Sequence, residues 1–377
     1  MARAGWSVRA LLLGAASLAG PGALAQVRIE YVAHASFVVE SPGGVRALVD
    51  PYSGTRWLGY SFPAGLEADV VLVSHPHYDH DASYYAPARA PVLRTPGAYA
   101  FSDLRVTGIA GRHAEPWGQE FGGTNTLWLI ETGGLRIAHL GDTGPLSEAS
   151  LRALGTVDVL MLPVDDQDHI LKRAEIVAIR SALRPAVTLP MHYRLAALTR
   201  LPDSLGTIDG WLAEQRNVVR LGSHATALRE RPAEPQVLVL SPSPAVKPWP
   251  AELALAFEHR GRARALAEKA GAAEVALAER RRAAALAPGS MLFAFELGRA
   301  LIDLERLEEA AAFLERALAG AGGDDWEMTA RARDLLAGLY ARRGERERAA
   351  QQYRLVLRDE PRQELRARAE AFLTTPR

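Results

Sequence analysis

The sequence predicts an α/β domain followed by an all-α domain. Between residues 27 and 240, short runs of β-branched and aliphatic residues are separated by Gly, Pro and Asp punctuation, the pattern of buried strands and turns. Beyond a proline-rich stretch at 241–250 the composition turns to Ala, Leu, Glu and Arg, good helix formers, in a recurring frame. A third observation singles out one loop of the first domain. Val70-Val71-Leu72-Val73 runs directly into Ser74-His75-Pro76-His77-Tyr78-Asp79-His80-Asp81. The apolar run reads as a core strand, and the proline stops regular structure beyond it. The polar cluster then sits at the C-terminal end of a strand, where open α/β sheets place ligands.

Imidazole is the commonest protein ligand for zinc, and carboxylate is a workable second. His75 and His77 are two apart, so extended backbone turns both side chains the same way to grip one ion. Asp79 and His80 diverge and suit a neighbouring position. The spacing predicts two metal positions, against the alternative of a histidine-rich surface loop.

The pattern His-x-His-x-Asp-His resembles the signature of the metallo-β-lactamase fold. Ala33-His34-Ala35-Ser36-Phe37-Val38-Val39-Glu40, Leu48-Val49-Asp50-Pro51, Gly141-Asp142-Thr143-Gly144 and Met191-His192-Tyr193 follow in the order of one branch, the L-ascorbate-6-phosphate lactonase-like metal-dependent hydrolases. The resemblance spans roughly 27–240 and implies an αββα metallo-β-lactamase sandwich. It is specific for fold and metal site and unspecific for substrate.

The first 25 residues read as a secretory signal (1–25): Arg3 and Arg9, an apolar core from Ala10 to Leu18, a break at Pro21-Gly22, then Ala23-Leu24-Ala25. That core is shorter than the about 20 residues of a membrane span, so no stable anchor is expected, and a periplasmic or secreted location follows. The 377 residues balance 44 Lys and Arg against 44 Asp and Glu, which argues against nucleic acid as a partner. With no cysteine, any metal must be held by His, Asp or Glu.

In the hydrolase-like segment (26–240), strands are expected at Val27–Tyr31, Ala35–Glu40 and Val45–Val49. His34 reads either as a residue near the site or as a hydrogen-bonded core histidine. The resemblance makes Asp50 a support for the ligand loop, receiving the outer N–H of a ligating imidazole; a turn cap is the other reading. A helix is expected to begin at Asp81-Ala82-Ser83. His113 follows the strand Leu104–Ile109, at the position of the family's third ligand of the first metal. Thr126–Glu131 and Leu135–Leu140 form a hairpin ending at Asp142, which in the family bridges both metals; His139 reads as a core or supporting residue. Strand Val157–Pro163 leads into Asp165, Asp166, Asp168 and His169, where the chain departs from the family. That loop either contacts substrate or is simply solvated. A helix over Arg173–Leu183 and a strand over Ala186–Leu189 bring the chain to His192, the family's last ligand of the second metal. Tyr193 beside it suits oxyanion stabilisation or packing.

The proline-rich linker (241–250) opens a helical region, 251–377. Gly271, Ala276, Ala283 and Pro288 share offsets with Gly344, Ala349, Val356 and Pro361. Ala276 to Ala310 spans 34 residues and Ala310 to Ala349 spans 39, which places a five-residue insertion near Gly322-Gly323-Asp324-Asp325. The period and its small residues resemble tetratricopeptide repeats, which usually hold peptides or proteins or pack on their own catalytic domain.

These expectations describe an exported dinuclear hydrolase. Its ligands would be His75, His77, His113, Asp79, His80, Asp142 and His192, with Asp79 and Asp142 also catalytic. Two divalent ions, zinc first and manganese or iron also tolerated, would supply a bridging hydroxide for an ester, lactone or phosphodiester bond in a small-molecule substrate. The alternative is a periplasmic assembly or adaptor protein that binds partners through its repeats. A β-lactamase is a weaker third reading, because the flanking motifs are those of the lactonase-like branch.

Overall fold

The computed structural model describes residues 26–54, 57–199, 205–320, 326–359 and 363–375. The signal segment, the insertion at 322–325 and Pro361 lie outside them. Among the described residues fourteen strands occupy the first half: β1 (Val27–Ala33), β2 (Ser36–Glu40), β3 (Arg46–Val49), β4 (Val70–Leu72), β5 (Val92–Leu93), β6 (Gly97–Phe101), β7 (Leu104–Arg112), β8 (Thr124–Thr132), β9 (Leu135–His139), β10 (Val159–Pro163), β11 (Val187–Met191), β12 (Val218–Arg220), β13 (Ala225–Leu228) and β14 (Gln236–Val239). They form two sheets, one in the order β13-β1-β2-β3-β4-β5 and the other β12-β14-β11-β10-β9-β8-β7-β6. One hydrophobic core joins them, with Tyr31 and Phe37 of the first sheet and Trp128 and Ile137 of the second all buried. This is the sheet-rich sandwich the sequence predicts.

Short helices α1 (Glu148–Leu154), α2 (Arg173–Leu183) and α3 (Asp209–Ala213) serve the second sheet. Ile176, Ile179 and Leu183 lie three and four residues apart on α2, so one stripe of that helix is buried in the core. Strands β10 and β11 are buried at every position, which explains their unbroken apolar sequence. The helix expected from Asp81 is only a single 3₁₀ turn, Ser83–Tyr85. The Asp81 carboxylate is taken by the Arg94 guanidinium at 2.7 and 3.0 Å and by Ser83 Oγ at 2.9 Å. Pro87, lacking an N–H, then stops any continuation.

Among the described residues seven helices follow: α4 (Ala251–Ala267), α5 (Ala273–Leu286), α6 (Met291–Asp303), α7 (Leu307–Ala319), α8 (Trp326–Arg342), α9 (Arg346–Asp359) and α10 (Gln363–Thr374). They pack as consecutive pairs, with α6 against α8 and α8 against α10. Ala276, Ala283, Ala310 and Ala349, which share the repeat frame, are all buried. Gly298 shows why such positions stay small, since a Cβ there would lie 2.6 Å from Leu314 Cδ2.

The proline-rich 241–250 segment is not a free spacer. Ser243 N–H donates to Val32 O at 2.9 Å, Tyr60 pairs with Pro248, and Trp249 N–H donates to Gly59 O at 2.9 Å. The Trp249 indole N–H also bonds to Gly54 O, and its ring packs on Phe257 of α4 with centroids 4.4 Å apart. An apolar side chain of that size, nearly fully buried, anchors the first helix to the sandwich. At the other end α10 touches the 3₁₀ turn Gln119–Phe121 of the sandwich.

Candidate metal centre

The loops after β3, β4, β7, β9 and β11 and the β1–β2 turn share one edge of the sandwich. His192 N–H donates to His34 O at 2.9 Å, and His113 pairs with Thr143, tying these loops together. Gly141 turns at φ +55°, and a Cβ there would lie 2.4 Å from Asn125 Oδ1 and 2.5 Å from Ser74 Cβ. Only glycine fits, and Asp142 is delivered as a consequence.

All seven residues expected from the sequence meet here, in two groups able to hold a metal ion. His75, His77, His113 and Asp142 form one; Asp79, His80 and His192 form the other together with His34. Within each group the candidate ligand atoms lie within 4.8 Å of one another. Asp142 stands between them: Oδ1 is 3.2 Å from His80 Nε2, and Oδ2 is 3.2 Å from His192 Nε2 and 3.8 Å from His113 Nε2.

The imidazoles are held from behind. His80 Nδ1–H donates to Asp50 Oδ2 at 2.8 Å, and His113 Nδ1–H to Ala114 O at 2.9 Å. Ser74 Oγ gives its proton to Asp50 Oδ2 at 2.6 Å and so accepts from His75 Nδ1 at 2.9 Å. His77 Nε2–H donates to Glu120 Oε1 at 3.0 Å. Each outer nitrogen thereby keeps its proton, so that the neutral ring carries its lone pair on the inner one. The inner atoms are the ones left over. His80 Nε2, His113 Nε2, His192 Nε2 and Asp142 Oδ1 are buried without a hydrogen bond, while His75 Nε2 and His77 Nδ1 face each other at 3.1 Å. Converging lone pairs in a buried space are costly unless a cation lies among them, so these residues fit divalent metal ions.

Electrostatics agree. Burial and the neighbouring His80 hold the His75 imidazole well below its ordinary value, so it is neutral and ready to ligate. Burial would raise the Asp142 carboxyl, but His192 and His80 outweigh it and keep Asp142 well below the carboxylate range. His80 goes the other way. Burial lowers it, yet Asp142 and Asp50 outweigh burial and push it well above the usual histidine value.

Sequence reasoning missed several participants. His34, left open between site and core, is fully buried with Nε2 3.2 Å from Asp79 Oδ2 and its ring 4.2 Å from that of His192. Its backbone sits at φ +57°, an unusual conformation outside glycine that turns the side chain inward. Glu120 and Phe121 leave no trace in the sequence because they sit on a single 3₁₀ turn, too short for a periodic pattern. The Phe121 ring packs against His75, His77 and His113 at centroid distances of 4.9–6.0 Å. His169 stacks on His192 at 5.7 Å and meets the exposed Trp117 at a tilt, 5.5 Å between centroids, which puts both at the mouth of the site.

Other expectations need correcting. Asp165 and Asp166 neither face substrate nor dangle in solvent. Asp165 accepts the His169 and Gly206 N–H groups, and Asp166 accepts those of Gly210 and Trp211, binding the loop to α3. Tyr193 is buried beside Tyr31, with ring centroids 6.5 Å apart, and burial pushes its phenol up to about 12; it is a packing residue. Asp50 and His139 are supports. His139 Nε2–H donates to Ala35 O at 2.8 Å across the sandwich and its Nδ1 accepts from Gly141 N–H at 3.2 Å.

Residues 28–192, which carry both groups, match the family model described as the Beta-lactamase superfamily domain. The N-terminal half is a metallo-β-lactamase domain. A UPF0173 metal-dependent hydrolase of Carboxydothermus hydrogenoformans is 29% identical over 198 residues, covering 44% of this chain and 84% of the relative. Another, of Thermococcus kodakarensis, is 24% identical over 193 residues with the same shares of each chain. Both cover less than half of this chain, and structural neighbours of another kind lie over the helical half. Similar solved structures for that half include a thermophilic TPR protein of Thermus thermophilus, 27% identical, covering 33% of this chain and 62% of that one at a TM-score of 0.25.

Proposed function

We propose that this metal-dependent hydrolase works with two divalent ions, zinc first, on an ester, lactone or phosphodiester of a small molecule. His75, His77 and His113 would hold one ion, Asp79, His80, His192 and His34 the other, and Asp142 both. The observation that carries this reading is the division of labour within His75, His77, His80 and His113: outer nitrogens tied to acceptors, inner nitrogens turned toward one shared space. Bound there, the ions would supply Lewis acidity and bring a water's pKa toward neutrality.

The chain's own groups do the rest. His34 and His80 outweigh burial and keep Asp79 ionised, so its carboxylate can orient a water and accept its proton. Phe121 covers three imidazoles and limits bulk water, which strengthens every charge interaction inside. Trp117 offers an aromatic surface at the mouth against which an apolar part of a substrate can lie. Export is proposed on the N-terminal sequence pattern alone.

The test is metal analysis of the purified chain followed by assay on an aryl ester, a lactone and an aryl phosphodiester. Turnover of at least one class is expected, abolished by chelation and by Asp142→Asn. Full metal loading with no turnover of any class would leave the adaptor reading in its place.

A further inference from the structure

The helical repeats enclose a cavity of about 360 Å³ whose far wall is Glu120 of the metallo-β-lactamase domain. Phe295 and Arg299 come from α6, Arg331 and Asp334 from α8, and Arg368 from α10. Spacings of three and four residues place each set on one helix face, so the cavity lies in the groove of the repeats. Its floor is one hydrogen bond from the metal centre, because Glu120 Oε1 accepts from His77 Nε2.

Both carboxylates of the lining are engaged, Asp334 with Arg368 and Glu120 with His77. Arg299 is exposed and, among the described residues, has no hydrogen-bond or ion-pair partner. A guanidinium presents a planar fork matched to a carboxylate, and the single one of Arg299 suits a monoanion better than a phosphate dianion. The volume is that of a small-molecule site rather than a peptide groove. Phe295 adds an apolar wall beside Arg299.

We propose that this cavity binds a carboxylate of the substrate, with Arg299 as the recognising group, so that the helical repeats complete the hydrolase's specificity pocket. The inference rests on the hydrolase reading above. It also explains why α10 closes against the Gln119–Phe121 turn: the groove is walled by the chain's own catalytic domain.

Two measurements on the full chain test it, comparing the parent with Arg299→Gln and Arg299→Lys. Calorimetry of the metal-free protein with monomethyl glutarate should show binding that Arg299→Gln weakens and Arg299→Lys partly restores. In the zinc-loaded protein, Arg299→Gln should raise KM for mono-4-nitrophenyl glutarate about tenfold, with kcat and the KM for neutral 4-nitrophenyl butyrate unchanged. Unaltered unfolding temperatures will show that both variants fold. An equal KM change on both esters, or glutarate binding indifferent to Arg299, overturns the proposal. So does binding of inorganic phosphate or an acidic peptide without binding of monomethyl glutarate. If neither ester turns over, the ester-hydrolase reading fails, while Arg299-dependent calorimetry still upholds the carboxylate site and its absence removes it.

Discussion

Asp50 Oδ2 accepts the Nδ1 proton of His80 at 2.8 Å, and both side chains are completely buried. Asp50 reaches Ser74 N–H at 2.7 Å through its other oxygen, so one carboxylate sets both the loop and the ring. Replacing Asp50 with Ala should weaken divalent-metal binding by about 10–100-fold, the usual cost of losing a ligand's supporting partner. Competition against a chromophoric chelator measures it. Unchanged affinity would show that the His80 ring is held by packing alone.

His34 distinguishes the two groups. Asn tolerates a positive φ, so His34→Asn removes the imidazole with little backbone strain. We expect metal content to fall from about two ions to about one per chain, the ion on His75, His77 and His113 being retained. His113→Asn should produce the complementary loss. If His34→Asn retains full metal content but loses turnover, His34 is instead the hydrogen-bond donor that orients Asp79.

The contrast between these residues shows what the sequence makes legible. His75, His77, Asp79 and His80 are readable because a core strand delivers them together, and spacing alone assigns them to two neighbouring positions. Strand β10 and helix α2 are readable because burial imposes a pattern on every residue. His113, Asp142 and His192 need the family's order of motifs, since each is a lone polar residue after a strand. His34 and Glu120 escape even that. Their roles depend on a left-handed backbone position and on a loop's path, neither of which leaves a periodic trace. The Asp165-Asp166 pair misleads for the same reason: its partners are backbone N–H groups about 40 residues away.

Metal binding should release protons. Without metal, Asp142 and Asp50 raise the His80 imidazole well above its ordinary value, so at pH 7 it carries a proton that a metal must displace. About one proton per chain should appear when zinc is added in weak buffer with a pH indicator, and affinity should rise with pH until His80 is deprotonated. His75, lowered by burial and His80, contributes none at this pH. A pH-independent affinity between 6 and 8 would refute this assignment.

The helical half should carry its own acid sensitivity. His259 and Arg262 donate to Glu279 Oε2 at 2.7 and 3.0 Å and hold its carboxyl down to about 2. A depressed carboxyl contributes stability that is fully present above its ordinary value of 4.5 and lost as pH falls toward about 2. Glu279→Gln should therefore lower the unfolding temperature at pH 7, with the gap to the parent narrowing across that window. A gap independent of pH would mean that packing, not charge, holds Glu279.

Gly298 of α6 lies against Leu314 of α7, which is itself fully buried and has no room to swing away. A Cβ at 298 would come within 2.6 Å of Leu314 Cδ2 and 2.8 Å of its Cγ. Helix propensity alone would favour replacing this glycine, by up to about 1 kcal/mol. Overpacking opposes it, typically by about 1–3 kcal/mol, and Val adds a β-branch that helices resist. Gly298→Val should thus destabilise the repeats in denaturant unfolding. Leu314→Ala alone should cost about 2–5 kcal/mol through the cavity it leaves. Combined, the two should cost less than their sum by about 0.5–3 kcal/mol, because the valine enters space that Leu314 vacates. Strict additivity would place the steric conflict elsewhere. Since α6 also presents Arg299, Gly298→Val should weaken monomethyl glutarate binding as well, and Leu314→Ala in the same chain should restore part of it.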